Sequence, residues 1–245
     1  MGKNIIITSG TAGIGKCIVE KIAAEADVDQ LIINYGHNEA AALELKRALP
    51  KELQEKTHLV QADMSEASGL DTFVGYVKTH LSHIDWLICN TGIGTYMKFD
   101  EYTMDVWDKI MRTNVTIPVF LIQQLKGMFA NGGKIIFMAS YSGIVPYSSS
   151  VVYGTSKAAV CFLAKTLVKE FDDKNVCINA IAPGFIETRW QDGRSEESYQ
   201  RINAKIAAHR FGKPEEVAKI TYDVLANDYI NGTVIEVTGG YGYFG

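Results

Sequence analysis

Tyr153 and Lys157 stand four residues apart in the run Tyr153-Gly-Thr-Ser-Lys157. On a helix that spacing sets both side chains on one face, within reach of each other. A phenol ordinarily titrates near ~10. An ammonium beside it favours the phenolate and makes a tyrosine usable as acid or base near neutrality. Ser140 lies upstream, directly after the apolar run 134–139. If that run is a strand, Ser140 sits at its carboxyl end and faces Tyr153 across a crevice. A Tyr-x-x-x-Lys match alone is common, and its bland reading is a surface tyrosine near a surface lysine. The rest of the chain has to position the pair for it to mean more.

Short β-branched runs at 3–8, 31–35, 57–61, 85–89, 134–139, 176–181 and 233–237 alternate with helical patterns near 14–26, 38–49, 65–82, 101–129, 151–172, 195–207 and 214–226. The strand cores, such as Ile5-Ile-Ile7, are apolar without alternation, as strands buried on both faces are. Such a series predicts right-handed crossovers and an α/β fold built on a doubly wound parallel sheet. No repeat or linker divides the 245 residues, so residues 1–245 are read as one domain. The polar stretch 189–198 is an excursion from the sheet, and 189–208 is expected to act as a lid over the substrate.

In such a sheet ligands bind beyond the carboxyl ends of the strands. The first strand ends in Thr8-Ser-Gly-Thr-Ala-Gly-Ile-Gly15. Its glycines permit a tight turn, and the following helix offers free N–H groups and a positive dipole end to a pyrophosphate. The plain alternative is a glycine-rich turn. At the end of the second strand an acid would grip the ribose hydroxyls of NAD; Asn34 is neutral and would not repel a 2′-phosphate. No basic residue in the glycine loop binds that phosphate either. Asp63 either accepts from an adenine amino group or caps the helix that follows. In the long helix, Pro118 has no N–H to give the carbonyl of Asn114, so a kink is expected there. That carbonyl either takes a water or serves a proton relay. Pro183-Gly184 is a turn signal, and Thr188 beyond it could hydrogen-bond a ligand amide.

Taken in order, these motifs resemble the short-chain dehydrogenase/reductase family in its one-domain form, over essentially the whole chain. The resemblance implies a single Rossmann domain with a seven-stranded parallel sheet and helices on both faces. It implies Tyr153 as the acid/base and Lys157 as the group that lowers its pKa and holds the nicotinamide ribose. Ser140 would polarise the substrate oxygen, and the Asn114 carbonyl would hold a relay water. The cofactor would touch Ser9, Gly10, Thr11, Gly13, Ile14 and Gly15 in the loop, Asn34, Asp63 and Met64, then Asn90 and Gly92. On the far side it would meet Pro183, Gly184, Ile186 and Thr188 besides Tyr153 and Lys157. Ser9 replaces the family's first loop glycine, Cys89 and Thr91 interrupt its Asn-Asn-Ala-Gly motif, Ala12 stands where NADP-using members often place a basic residue, and Thr238 precedes Gly239-Gly240 in place of Asp. Residues 210–217 and the C-terminal segment look most like bacterial 3-oxoacyl-carrier-protein reductases. Lys174 falls at a carrier-facing basic position, whereas Asn131 falls at another.

The implied reaction is NAD(P)(H)-dependent hydride transfer between a carbonyl and a secondary alcohol, with NADP(H) slightly preferred over NAD(H) and no metal. A 3-oxoacyl-carrier-protein reductase and a nucleotide sensor without chemistry are the alternatives. Tyr96, Tyr141, Tyr147, Phe185 and Trp190 would wall the substrate pocket, and Arg189 or Arg194 could meet an acidic substrate. Net charge is −4, with no basic block, so nucleic-acid and anionic-membrane partners have no compositional support. No signal-peptide pattern or membrane-length apolar run is evident, and Cys17, Cys89, Cys161 and Cys177 lack metal or disulfide spacing. A cytoplasmic protein with reduced thiols is therefore expected. The family's habit implies a homotetramer or homodimer built on 101–129, 151–172 and the aromatic C-terminal end.

Overall fold

The structure is a computed structural model that describes residues 2–146 and 150–242. Tyr147 and the last three residues, Tyr243 among them, lie outside the described residues. Seven parallel strands form one sheet in the order β3-β2-β1-β4-β5-β6-β7. They are β1 Lys3–Ile7, β2 Val28–Tyr35, β3 Thr57–Gln61, β4 Ile84–Cys89, β5 Phe129–Met138, β6 Cys177–Pro183 and β7 Val234–Val237. Strand order reverses between β1 and β4, which opens a crevice at their carboxyl ends.

The apolar runs are uninterrupted because each strand feeds two cores. Ile6 packs with Ile32, Leu87, Ile135 and Phe137 on one face of the sheet. Its neighbours Ile5 and Ile7 pack with Leu31, Ile33, Trp86 and Ile136 on the other. All three are fully buried. Alternate side chains leave a strand on opposite faces, so a sheet covered on both sides needs apolar residues at every position.

The second face is covered by α1 (Gly13–Glu25) and α9 (Pro214–Leu225), which pack together. The first is covered by α4 (Ala67–His80), α6 (Ile117–Leu125) and α7 (Val151–Thr166), with α5 (Met104–Met111) packed on α7. Between them come α2 (Glu39–Ala48), α3 (Lys51–Glu55) and α8 (Glu196–Asn203). The short α3 begins after Pro50, and nothing in its five residues has a period long enough to read from sequence.

The expected single helix 101–129 is two helices joined by a wide turn over Arg112–Thr116, where Ile117 N–H reaches the carbonyl of Arg112, five residues back. The widened turn falls just ahead of Pro118, where the missing N–H interrupts the regular ladder. The helix beginning at Val151 tightens after Thr166 into narrower turns over Leu167–Lys174, closed by Asn175 in the left-handed region. By length and composition Val151–Lys174 would pass for a membrane span. Its buried residues Val160, Ala164 and Phe171 belong to the core on one face of the sheet, which accounts for its apolarity.

Candidate active site

Helix α7 sets the geometry. Tyr153 and Lys157 share one face of it, as their spacing predicts, and the Lys157 ammonium nitrogen lies 5.7 Å from the centre of the Tyr153 ring. Ser140 closes β5 and hydrogen-bonds the Tyr153 phenol from across the crevice. Ser142, which the sequence reading did not single out, holds that serine. Its Oγ is 2.8 Å from Ser140 Oγ, and its N–H donates to the same oxygen at 3.3 Å.

The electrostatics differ from expectation. The phenol is pushed up to about 12 by burial, a rise that the Ser140 hydrogen bond only partly offsets. Lys157 is 3% exposed, and burial lowers it to about 8. Its Nζ donates to the carbonyl of Met138 at 2.7 Å. Spacing correctly joins the two groups, but the loss of water acts on each of them and outweighs their mutual effect. An exposed Tyr–Lys pair would behave as the sequence reading expected; a desolvated one does not.

Asn114 acts here through its side chain. Its Nδ2 donates to Ile93 O and to Ser156 Oγ, both at 2.9 Å, and its Oδ1 accepts from Ile93 N–H at 2.8 Å. Ser156 Oγ in turn donates to the Tyr153 carbonyl at 2.7 Å. The loop after β4 is thereby clamped to α7. Gly92 faces the lysine: a Cβ there would stand 3.0 Å from Lys157 Nζ. Gly94 lies under the aromatic wall, where a Cβ would meet Tyr153 and Trp190 at 2.9 Å. No sequence signal marked Gly94.

The opposite wall is the turn from β1 into α1. The N-terminus of α1 has no side-chain cap at Ala12 and no acid in its first turn. Its free N–H groups and positive end therefore face the cleft, which fits the pyrophosphate of a dinucleotide. Gly15 lets the backbone fold back: a Cβ would meet Ser9 O at 2.4 Å and Asn90 Nδ2 at 2.6 Å. Ser9, in the family's glycine position, adopts φ +50. Its N–H donates to Asn34 Oδ1, and its hydroxyl pairs with Thr91 Oγ1 at 2.8 Å. Asn90 Nδ2 donates to the carbonyls of Thr8 and Ser9, and Thr8 Oγ1 accepts from the N–H groups of Asn90 and Thr91.

A cleft of about 700 Å³ joins the two walls. Of the predicted cofactor residues, Ser9, Gly13, Ile14, Gly15, Asn90, Gly92, Tyr153, Lys157, Pro183, Gly184, Ile186 and Thr188 line it, as does Ser140. Gly10, Thr11, Asn34, Asp63 and Met64 do not, nor does Asn114, the expected relay residue. Gly10 is pressed between Ile7 and Ile33, and Met64 is a core side chain. Asp63 accepts from Ser65 N–H at 2.9 Å in a local turn ahead of α4, and that bond lowers its pKa; the helix itself starts after Glu66 without a side-chain cap, so Asp63 does not cap it. Asn34 is 1% exposed. Besides accepting from Ser9, its Nδ2 donates to the carbonyls of Tyr35, Val60 and Ala62. It knits the loop to β2 and β3, and its side chain is not free to meet a ribose or a 2′-phosphate.

The third wall is the segment after β6. Trp190 lies 5.5 Å from Tyr153, ring centre to ring centre, and its Nε1 donates to Tyr96 OH at 3.1 Å. Phe185 and Tyr241 line the same space, whereas Tyr141 stands behind Tyr241, edge-on. Ile202, Ile206 and Phe211 form a small apolar cluster of their own, separate from both main cores. Lys174 is engaged elsewhere, donating to the carbonyls of Gly127 and Phe129.

Comparison with known proteins gives a consistent result. Residues 3–199 match the family described as short chain dehydrogenase. The chain is 32% identical to the 3-oxoacyl-acyl-carrier-protein reductase FabG of Aquifex aeolicus, covering 98% of this chain and 97% of that one. It is 31% identical to glucose 1-dehydrogenase 2 of Bacillus subtilis, covering 98% and 94%. Among solved structures, a short-chain dehydrogenase/reductase from Serratia marcescens superposes with a TM-score of 0.90 at 25% identity, covering 99% and 98%.

Proposed function

The chain belongs to the short-chain dehydrogenase family, and from that premise we propose that it interconverts a carbonyl and a secondary alcohol, with Tyr153 as the acid/base and NAD(P)(H) as the hydride carrier. One observation carries this reading: the Tyr153 phenol, the Ser140 hydroxyl and the uncapped start of α1 face a single cleft.

Ser9, Gly13, Ile14 and Gly15 hold the pyrophosphate, and Ile186 and Thr188 hold the carboxamide end. When bound, NAD(P)(H) would supply the hydride for the carbonyl carbon in reduction or accept one from the alcohol carbon in oxidation. Ser140 donates a hydrogen bond to the substrate oxygen as negative charge grows there, which favours the transition state over the ground state. Tyr153 delivers its proton to that oxygen in reduction and takes the alcohol proton in oxidation. Lys157, fixed by the Met138 carbonyl, would hold the nicotinamide ribose, and Asn114 with Ser156 fixes the register of α7 against the loop. With no acid at the end of β2, both NAD(H) and NADP(H) are accommodated, and NADP(H) is the preferred form. Protomers associate as a homotetramer or homodimer; Met104 and Phe120, with Val151 and Phe162 on α7, are exposed apolar side chains on the helices concerned.

Reduction of 3-oxoacyl-carrier-protein is a second reading, supported by the likeness to FabG. The one basic position that favoured it in sequence, Lys174, has its ammonium held by main-chain carbonyls. The test of the main reading is Tyr153→Phe, assayed against a panel of ketones and alcohols with each cofactor. NAD(P)H binding, followed by fluorescence, should persist while turnover falls by at least ~10²-fold. Undiminished turnover would refute the assignment.

A further inference from the structure

The cleft is lined by Lys157, Arg189, Arg194, Arg201 and Lys205 and, among the described residues, by no aspartate or glutamate. The chain as a whole carries a net charge of −4, so this wall runs against the protein's own balance. Elsewhere cations are commonly neutralised: Arg112 by Glu66, Lys126 by Glu170, Arg210 by Glu216. Among the described residues neither Arg194 nor Arg201 has a carboxylate partner.

Arg194 is also held in place. Its Nε donates to Gln191 Oε1 at 2.9 Å, and its guanidinium lies over the Phe185 ring at 5.5 Å. Gln191 is itself buried, anchored by its Nε2 to the carbonyl of Ile186 at 3.2 Å. Arg194 Nη1 donates to Ser198 Oγ at 3.0 Å, and Arg201 Nη2 approaches the same oxygen at 3.5 Å. Two guanidinium groups thus converge on one neutral hydroxyl. Like charges so placed repel, and a solvated surface arginine needs no such fixing. An oxyanion between the two forks would remove the repulsion; Arg194, fixed by Gln191 and Ser198, offers it N–H donors whose orientation is already set, and the exposed Arg201 can turn to join it. Arg194 is tied to Phe185 and Gln191, in the aromatic wall that holds Trp190 beside Tyr153, whereas the residue that faces Gly13 of the pyrophosphate turn is Thr188, ahead of that segment. The cationic pair is therefore on the substrate side.

We propose that the carbonyl substrate bears an oxyanion, a carboxylate or a phosphate, received by Arg194 and Arg201. This rests on the hydride-transfer reading above and assigns the substrate class of that same site. Two matched pairs of probes test it and distinguish the sources: acetoacetate against its ethyl ester, and acetoacetyl-coenzyme A against the neutral N-acetylcysteamine thioester. In at least one pair the anionic member should have a kcat/KM at least about tenfold higher, the size of a charge-assisted hydrogen bond. Preference in the first pair alone places the anion on the substrate's own skeleton; in the second alone, on the phosphates of a carrier arm. The double variant R194Q/R201Q should bring the favoured ratio to within about threefold. Without any variant, raising sodium chloride from 20 to 500 mM should lower kcat/KM of the favoured anion severalfold relative to its neutral partner. Equal use of both members in both pairs overturns the proposal and leaves the hydride-transfer reading standing. So does a double variant whose ratio is unchanged while its NAD(P)H affinity falls. If none of these probes turns over, the hydride-transfer reading is judged on the wider ketone and alcohol panel, and binding decides separately. Because Trp86 and Trp107 also fluoresce, the quenching that Trp190→Phe abolishes is compared: stronger quenching by acetoacetate than by its ester upholds the anion site, and equal quenching rejects it.

Discussion

The two walls of the cleft are built on opposite plans. On the side of β1, β2 and β4 the buried amides are engaged by their own surroundings: Asn34 by Ser9 and three carbonyls, Asn90 by Thr8 and Ser9, with Asn114 behind them clamping the loop after β4 to Ser156 of α7. What it offers a ligand is backbone, the open end of α1. On the side of 189–208 the groups are side chains, more exposed, aromatic and cationic, resting on a small separate cluster. The first wall is suited to a ligand that never changes, the second to one that varies among relatives. A backbone cradle fixed by buried amides has no freedom to adapt, whereas side chains on a segment packed against little else do.

Four further measurements probe this contrast, and only Tyr153→Phe above is expected to have a greater effect. Asn34→Asp places a carboxylate against three carbonyl oxygens that now receive N–H donors. It should lower stability by about 3 kcal/mol or more, since one oxygen of a buried carboxylate then faces carbonyls, with only Ser9 N–H as donor to the other. For a domain of this size that is a fall of roughly 6–12 °C in Tm. If Asn34→Asp instead folds normally and gains NAD affinity, the rigid-wall description is wrong.

Next in size is a pH effect. Lys157 titrates near 8 when folded, below its ordinary value. Between those values the unfolded chain binds the extra proton, so this lysine makes stability rise with pH from about 8 upward. Tyr153, raised to about 12, acts oppositely: above about 10 the unfolded chain releases a proton that the fold retains, and stability falls. Denaturant midpoints of wild type and Lys157→Met, compared from pH 7 to 10, should diverge with the wild type gaining. Parallel curves would show that Lys157 is not desolvated.

Trp190→Ala, on the adaptable wall, should raise substrate KM severalfold and leave NAD(P)H affinity within about twofold, because the ring stacks beside Tyr153 and not on the loop. The smallest change is expected for Ser9→Gly. It relieves a left-handed backbone but gives up the hydroxyl bond to Thr91; the two are each about 1 kcal/mol and opposed, so thermal stability should move by less than ~1 kcal/mol.

Much of this was legible in the chain. The Tyr153–Lys157 spacing, the glycine turn and the doubly apolar strands all rest on local periodicity, and local periodicity survives folding. Other features were not. Asn34 has the same composition and position whether it faces a ligand or the core, and only the approach of β3 and the loop decided that it faces inward. Gly94 and Ser142 matter for what packs against them from elsewhere in the sequence. The convergence of Arg194 and Arg201 depends on where α8 and the segment before it sit, which no period reports.

By itself the sequence determined the order of elements, the parallel sheet and the two residues that share a face of α7, because backbone geometry ties those to spacing along the chain. Tertiary structure decided how those residues behave. Water is removed from the phenol and the ammonium by strands and loops distant in sequence, and that removal sets their proton affinities, the role of each buried amide and the sign of the charge left open to a substrate.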